Sequence, residues 1–265
     1  MAKHLQRALA LFLIGAWTAA VPGSAGADAP WRRVPGGWAK GPIEHVRTLP
    51  LETGTAIGAA LHGSHLYVTT WRSFSIYDVS DPLDPRFVTA RDVGPQLINE
   101  SPSTNGKLLL LANDGVGRQL EVWDVSDKAT PAQVGIATTP RNDHIWTCVL
   151  DCRYAYGSAG SIVDLENPAS PRYVGEWRTG VPVRVPHTIE EVKPGIVVVG
   201  SLPMHVLDAR ENPEKPERVA TVEPPATTPG RVLPLGLPES APGDLAWPTA
   251  GSDRFLLTSL ETPFS

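Results

Sequence analysis

Cysteine is almost missing from this 265-residue chain, which has only Cys148 and Cys152. Their Cys-x-x-x-Cys spacing, with no His pair beside it, does not read as a metal or redox motif. Aromatic residues are sparse at 7%, although eight of them are Trp. Basic residues do not outnumber acidic ones, and the formal net charge is -5. With no basic stripe, neither nucleic acid nor an anionic membrane surface has an electrostatic footing as partner. Beyond the N-terminus no apolar run is long enough to span a bilayer. No stretch shows the 3.6-residue periodicity of an amphipathic helix. The Gly-x-Ser-x-Gly elbow, the phosphate loop, HExxH and the dinucleotide fingerprint are all missing, so no catalytic motif and no cofactor are indicated.

What is present begins with an export signal. Lys3, His4 and Arg7 form a short polar start, and Ala8 to Val21 is apolar. Pro22 and Gly23 break that run, and Ala25-Gly26-Ala27 fits a small-x-small cleavage site. Residues 1–27 are therefore read as a secretory signal peptide, and the apolar run is too short for a membrane anchor. The mature chain is expected to be secreted or envelope-associated. In that oxidising setting the even cysteine count points to a Cys148–Cys152 disulfide, with two separate buried thiols as the alternative. The two residues bracket Val149-Leu150-Asp151, which reads as a hairpin tip.

Proline (27) and glycine (24) are abundant, and they punctuate a repeat. Four segments share one pattern: Ser75–Asp81, Glu121–Asp127, Ser161–Asn167 and His205–Glu211. Each centres on an Asp, at 78, 124, 164 and 208. A Pro follows seven residues later in the first three (Pro85, Pro131, Pro171) and eight later in the fourth (Pro216). After the Pro comes a short strand, such as Arg86–Thr89 or Arg172–Gly175. Before the Asp lies another, such as Leu108–Leu111 or Ile196–Val199. A less regular strand precedes that, near Ala56–Leu61, Asn99–Ser103, His144–Leu150 and His187–Val192. Continuous apolar runs such as Ile196–Val199 imply burial on both faces. The Pro cannot donate to a ladder and marks the entry to an outer strand. The core Asp is expected to accept backbone N–H groups of the turn that follows it.

The unit, as in SIYDVSDPLDPRFV, EVWDVSDKATPAQV and SIVDLENPASPRYV, resembles the LVIVD-repeat family of β-propeller proteins. The resemblance implies an exported or surface propeller and no particular activity. A WD-type repeat matches only once, at Trp123-Asp124. The expected fold is all-β, a propeller of about five four-stranded blades over residues 43–265, or part of a larger ring. Residues 28–42 are read as a flexible N-terminal segment. Residues 244–265 are read as a partial fifth unit, with strands at Trp247–Ala250 and Arg254–Thr258. Pro42–Thr48 is placed as an outer strand that completes it, and Glu223–Gly243 as a Pro-rich loop.

By analogy with other propellers, a ligand is expected on the face where the inner strands begin. Asp143, His144, His187 and Asp244 fall near those starts. A His/His/carboxylate set there could hold a metal or orient a water, although two His residues in different repeats have no diagnostic spacing. The function expected is an extracellular binding scaffold for an unidentified protein, glycan or small ligand. The alternative is a propeller enzyme, a metal-assisted hydrolase using Asp143, His144 and His187.

Overall fold

A computed structural model describes residues 32–34, 37–39, 46–49, 51, 54–95, 100–113, 119–178, 184–222, 242–246 and 257–260. The expected signal peptide lies outside them. A hairpin of β1 (Arg32–Val34) and β2 (Gly37–Ala39) sits within the N-terminal segment. Among the described residues every element is a strand, and no helix is long and apolar enough to cross a membrane.

Four antiparallel sheets of four strands follow, each built from one repeat in chain order. Blade 1 is β3 (Gly58–His62), β4 (His65–Thr69), β5 (Ser73–Asp78) and β6 (Arg86–Asp92). Blade 2 is β7 (Ser103–Thr104), β8 (Leu108–Asn113), β9 (Gln119–Asp124) and β10 (Ala132–Thr138). Blade 3 is β11 (Trp146–Val149), β12 (Tyr154–Gly157), β13 (Ser161–Asp164) and β14 (Arg172–Glu176). Blade 4 is β15 (Arg184–Lys193), β16 (Ile196–Leu202), β17 (Met204–Asp208) and β18 (Glu217–Val222). The inner strands β3, β7, β11 and β15 pack one against the next. A further hairpin, β19 (Pro242–Ala246) with β20 (Leu257–Leu260), lies against β15 and β16.

The repeat reappears as one set of contacts made four times. The core Asp Oδ1 accepts the N–H two residues on: Ser80 and Ser126 at 2.8 Å, Glu166 at 2.8 Å and Arg210 at 3.0 Å. This is the Asx turn expected from the sequence. The next residue donates back across the strand pair: Val79 to Ser64, Val125 to Lys107, Leu165 to Arg153 and Ala209 to Gly195. Each outer strand pairs with its neighbour through one bulge, beside Ile76, Gln133, Ile162 and Val206. A bulge bends and twists the edge strand, which suits the rim of a ring.

The middle strands of the blades are buried on both faces, as the apolar runs require, whereas the outer strands are largely exposed. Leu109 and Leu111 face blade 1, where they meet Tyr67, Phe74 and Ile76. Their neighbours Leu110 and Ala112 face blade 3, where they meet Trp146, Ala155 and Val163. Blades 3 and 4 join through Val149, Tyr156 and Ile162 against Ile189, Val197 and Leu207. Gly135 on β10 has no room for a side chain, because a Cβ would lie 2.1 Å from the Pro168 carbonyl oxygen of blade 3.

The two ends of the repeat array depart from the expected positions where they are described. Of Pro42–Thr48, placed as an outer strand, residues 46–48 are described and are not in a strand, while 42–45 lie outside the described residues. Leu49 and Leu51 instead cover Val68, Tyr77 and Val79, the apolar flank of blade 1, while Arg47 pairs with Asp84 at 2.7 Å. The inner strand of the fifth hairpin is Pro242–Ala246, ahead of the Trp247–Ala250 placed there, so two residues assigned to the Pro-rich loop belong to β19. Trp247–Ala250 and residues 254–256 lie outside the described residues, as do 223–241. Leu257 and Thr258 are in β20.

Candidate functional site at the inner-strand starts

A short hairpin repeated around an axis carries the residue before each inner strand to the same face. Glu100 precedes β7, His144 precedes β11, and His187 lies near the start of β15. They are 44 and 43 residues apart, which is one repeat each. The matching position of blade 1, near Ala56, offers no donor atom. The β15–β16 register slips between Arg184 and Thr188, so His187 belongs to an irregular stretch that re-aims side chains.

The three side chains converge. Glu100 Oε2 lies 3.2 Å from His144 Nε2 and 3.5 Å from His187 Nε2. The imidazoles are tilted at 57° with ring centroids 5.2 Å apart. One donor atom from each residue lies within 4.8 Å of the other two. All three are half-buried, with side-chain exposures of 33% for Glu100, 20% for His144 and 19% for His187. Two imidazoles and a carboxylate can share a proton, hold an oxyanion on His N–H groups, or coordinate a metal.

Asp143, grouped with the histidines on sequence, plays a different part. Its side chain is turned into blade 3 and is 2% exposed. Oδ1 accepts the Ala159 N–H at 2.7 Å and, at longer range, that of Ser161 at 3.4 Å. Oδ2 meets the Thr139 hydroxyl at 3.5 Å. Burial pushes its carboxyl above the usual range, against the pull of these hydrogen bonds. Gly157 leaves it room, since a Cβ there would fall 2.2 Å from Oδ1. Asp143 thus fastens the β12–β13 turn, and the carboxylate of the cluster is Glu100. A signal for Glu100 existed in the repeat phase: it stands one repeat before His144. Asp244 is on β19, against the strand that carries His187. Its side chain lies outside the described residues.

At the other end of the inner strands, Cys148 and Cys152 form the expected disulfide, with Cα atoms 4.2 Å apart. The bridge does not link two paired strand positions, because Cys148 on β11 faces Ala155 and Cys152 is in the turn. Leu150, Asp151 and Cys152 all have φ near +55° to +60°, a conformation costly for L-residues. The neighbouring blades hold the turn in place. Asn105 Nδ2 donates to the Asp151 carbonyl at 2.9 Å. Glu191 Oε1 accepts the Leu150 N–H at 2.8 Å and the Gly195 N–H at 2.7 Å.

This chain is a β-propeller built from blades of four antiparallel strands. It carries an LVIVD repeat, whose family model matches residues 53–92. No curated protein matches the chain. Among solved structures it is similar to U3-55K (14% identity, 70% of this chain and 60% of that one, TM-score 0.51). It is also similar to a candidate 6-phosphogluconolactonase from Bacteroides fragilis (12% identity, 63% and 55%, TM-score 0.50). A third is the WD40 domain of SCAP from fission yeast (10% identity, 64% and 42%, TM-score 0.45). The chain spans 42 to 60% of the length of these proteins. At such identities the likeness concerns the fold alone.

Proposed function

We propose that this protein is an exported propeller that acts as an extracellular binding module, with its ligand site on the face where the inner strands begin. The observation that carries this reading is the convergence of Glu100, His144 and His187 from three consecutive blades. Glu100 and His144 stand just ahead of β7 and β11 and His187 lies in β15, and the contacts of Glu100 with both imidazoles hold the three groups together. Preorganisation of that kind lowers the entropy lost when a ligand binds. The leader at residues 1–27 and the Cys148–Cys152 bridge both suit export.

A second reading has its own support. Two imidazoles and one carboxylate match the donor set of hydrolytic metal sites, which keep a further position for water. Under that reading the protein is a metal-assisted hydrolase.

The test has two arms. The chain is expressed with its own leader, and the mature N-terminus is sequenced, with Asp28 as the expected first residue. Full-length protein retained in the cytoplasm would refute export. The mature protein is then applied to arrays of glycans and envelope proteins and, in parallel, to ester, phosphoester and peptide substrates. Capture that is lost in Glu100→Ala, with no turnover, supports the module. Turnover that is lost in Glu100→Ala establishes the hydrolase instead.

A further inference from the structure

We propose that Glu100, His144 and His187 bind one divalent transition-metal ion of the zinc type, and that the ion staples blades 2, 3 and 4 together. The proposal deepens the reading above by naming the chemical class of one ligand at the same site.

Distances argue first. Zinc bonds to imidazole nitrogen and carboxylate oxygen are about 2.0–2.1 Å long, so two ligand atoms of a tetrahedral site stand about 3.3 Å apart. The Glu100–His144 and Glu100–His187 edges are 3.2 and 3.5 Å. The third edge, between the imidazoles, is within 4.8 Å. Binding the ion would draw that edge to about the same value.

Donor chemistry argues second. Calcium and magnesium take all-oxygen sites, whereas two imidazoles with one carboxylate suit zinc and its late first-row neighbours. A three-residue set leaves a position for water or for a group on a larger ligand.

Placement argues third. The donors are one repeat apart and stand at the inner ends of three blades, each blade packed against the next through its own apolar cluster. An ion bound to all three opposes separation of blades that are otherwise joined by side-chain packing. Because the ion binds the folded ring and not the open chain, it raises the thermal midpoint by mass action.

Chelator-stripped mature protein is titrated with ZnCl2 by calorimetry, with MgCl2 as control, and thermal unfolding is followed with and without zinc. One zinc per chain is expected, no magnesium binding, and a midpoint rise of roughly 5 °C or more at a hundredfold excess over Kd. Co2+ in place of zinc should give the intense visible bands of a tetrahedral site. Glu100→Gln keeps the shape of the side chain and should lose most of the affinity, and His144→Ala and His187→Ala should each lose detectable binding. Asp143→Asn should keep it. Circular dichroism of the metal-free variants checks that each has folded. The proposal is overturned if the stripped wild type binds no zinc. It is equally overturned if one-to-one binding survives in folded Glu100→Gln and His187→Ala. Stripped protein that binds no zinc, yet whose array capture is lost in Glu100→Ala, would leave the binding module standing and remove only the metal.

Discussion

Replacing Asp143 by Ala should unfold the protein more easily and leave the Glu100–His144–His187 cluster able to bind. The carboxylate is buried and is the acceptor for Ala159 N–H at 2.7 Å, with a weaker contact from Ser161 N–H. Truncation leaves those donors without it, at about 1–2 kcal/mol each, so the loss is about 3 kcal/mol. For a domain of this size that lowers the thermal midpoint by about 6–12 °C. Asp143→Asn keeps an acceptor at Oδ1 and should cost about 1 kcal/mol. Gly157→Ala makes the same defect from the other side, because its Cβ would lie 2.2 Å from Oδ1. Removing the carboxylate removes the two shortest of these contacts and leaves the Asp143 Cβ, 2.7 Å from that methyl group, as the one that must still shift. The double variant Asp143→Ala/Gly157→Ala should therefore be more stable than the sum of the singles, by about 1–2 kcal/mol. Urea unfolding of the four proteins, followed by tryptophan fluorescence, measures the cycle. The reasoning also has a pH limb. Burial raises the Asp143 pKa in the folded state, so its contribution is full below the ordinary carboxylate value and falls as pH rises through the raised one. Asp143→Asn should flatten the stability profile over that window. A midpoint within 2 °C of wild type in Asp143→Ala, or strict additivity in the cycle, would refute this account.

The repeated turn offers an internal comparison. Asp164 is buried and also pairs with Arg172, so Asp164→Ala should cost about 2 kcal/mol in urea unfolding, whereas exposed Asp124→Ala should cost under about 1 kcal/mol. Gly135→Ala should cost at least about 2 kcal/mol, because the obstacle is the Pro168 backbone and not a movable side chain; a neutral result would mean that blades 2 and 3 slide freely. Cys148→Ser/Cys152→Ser should lose about 1–2 kcal/mol, since the loop closed is short, and non-reducing mass spectrometry of the wild type should show no free thiol. Burial also raises the Glu191 pKa, so Glu191→Gln should remove a loss of stability that sets in as pH rises above the ordinary carboxylate range; a wild-type slope preserved in the variant would contradict it.

Much of the fold was legible because each repeat declares its own punctuation. The Asp at 78, 124, 164 and 208 and the Pro after it located the turn before each outer strand, and the structure places β6, β10, β14 and β18 there. Runs such as Leu108–Leu111 could be read as doubly covered because their alternate residues serve two neighbouring blades. The ends of the ring were harder to read. Pro42–Thr48 reads as a strand by pattern, but the described part of it is irregular, and just beyond it Leu49 and Leu51 hide the apolar flank of blade 1, which a short irregular segment does as well as a strand. The site was half legible. His144 and His187, which the structure brings beside Glu100, were picked out by their place before the inner strands. Asp143 and Glu100 are both carboxylates near such a start, and what separates them is side-chain direction. The Ala159 N–H turns Asp143 inward, and a hydrogen bond across sixteen residues leaves no mark in local sequence.

The arrangement also explains why a site can arise in a repeat with no catalytic motif. Each inner strand must begin somewhere near the axis, and the residue at that root carries little of the packing, which rests on the strands behind it. Root positions can therefore vary while the Asx turns, bulges and apolar faces stay constant. In this chain they read Ala56, Glu100, His144 and His187 in successive blades. Three of the four carry donor atoms, and the ring sets them within a few ångströms of one another although no two are close in sequence. Spacing by the length of a repeat, rather than by the turn of a helix, is the pattern by which such a site is found in a propeller. Exchanging Glu100 for Ala should cost the metal-free fold no more than about 1 kcal/mol, while the same exchange at Asp143 should cost about 3 kcal/mol.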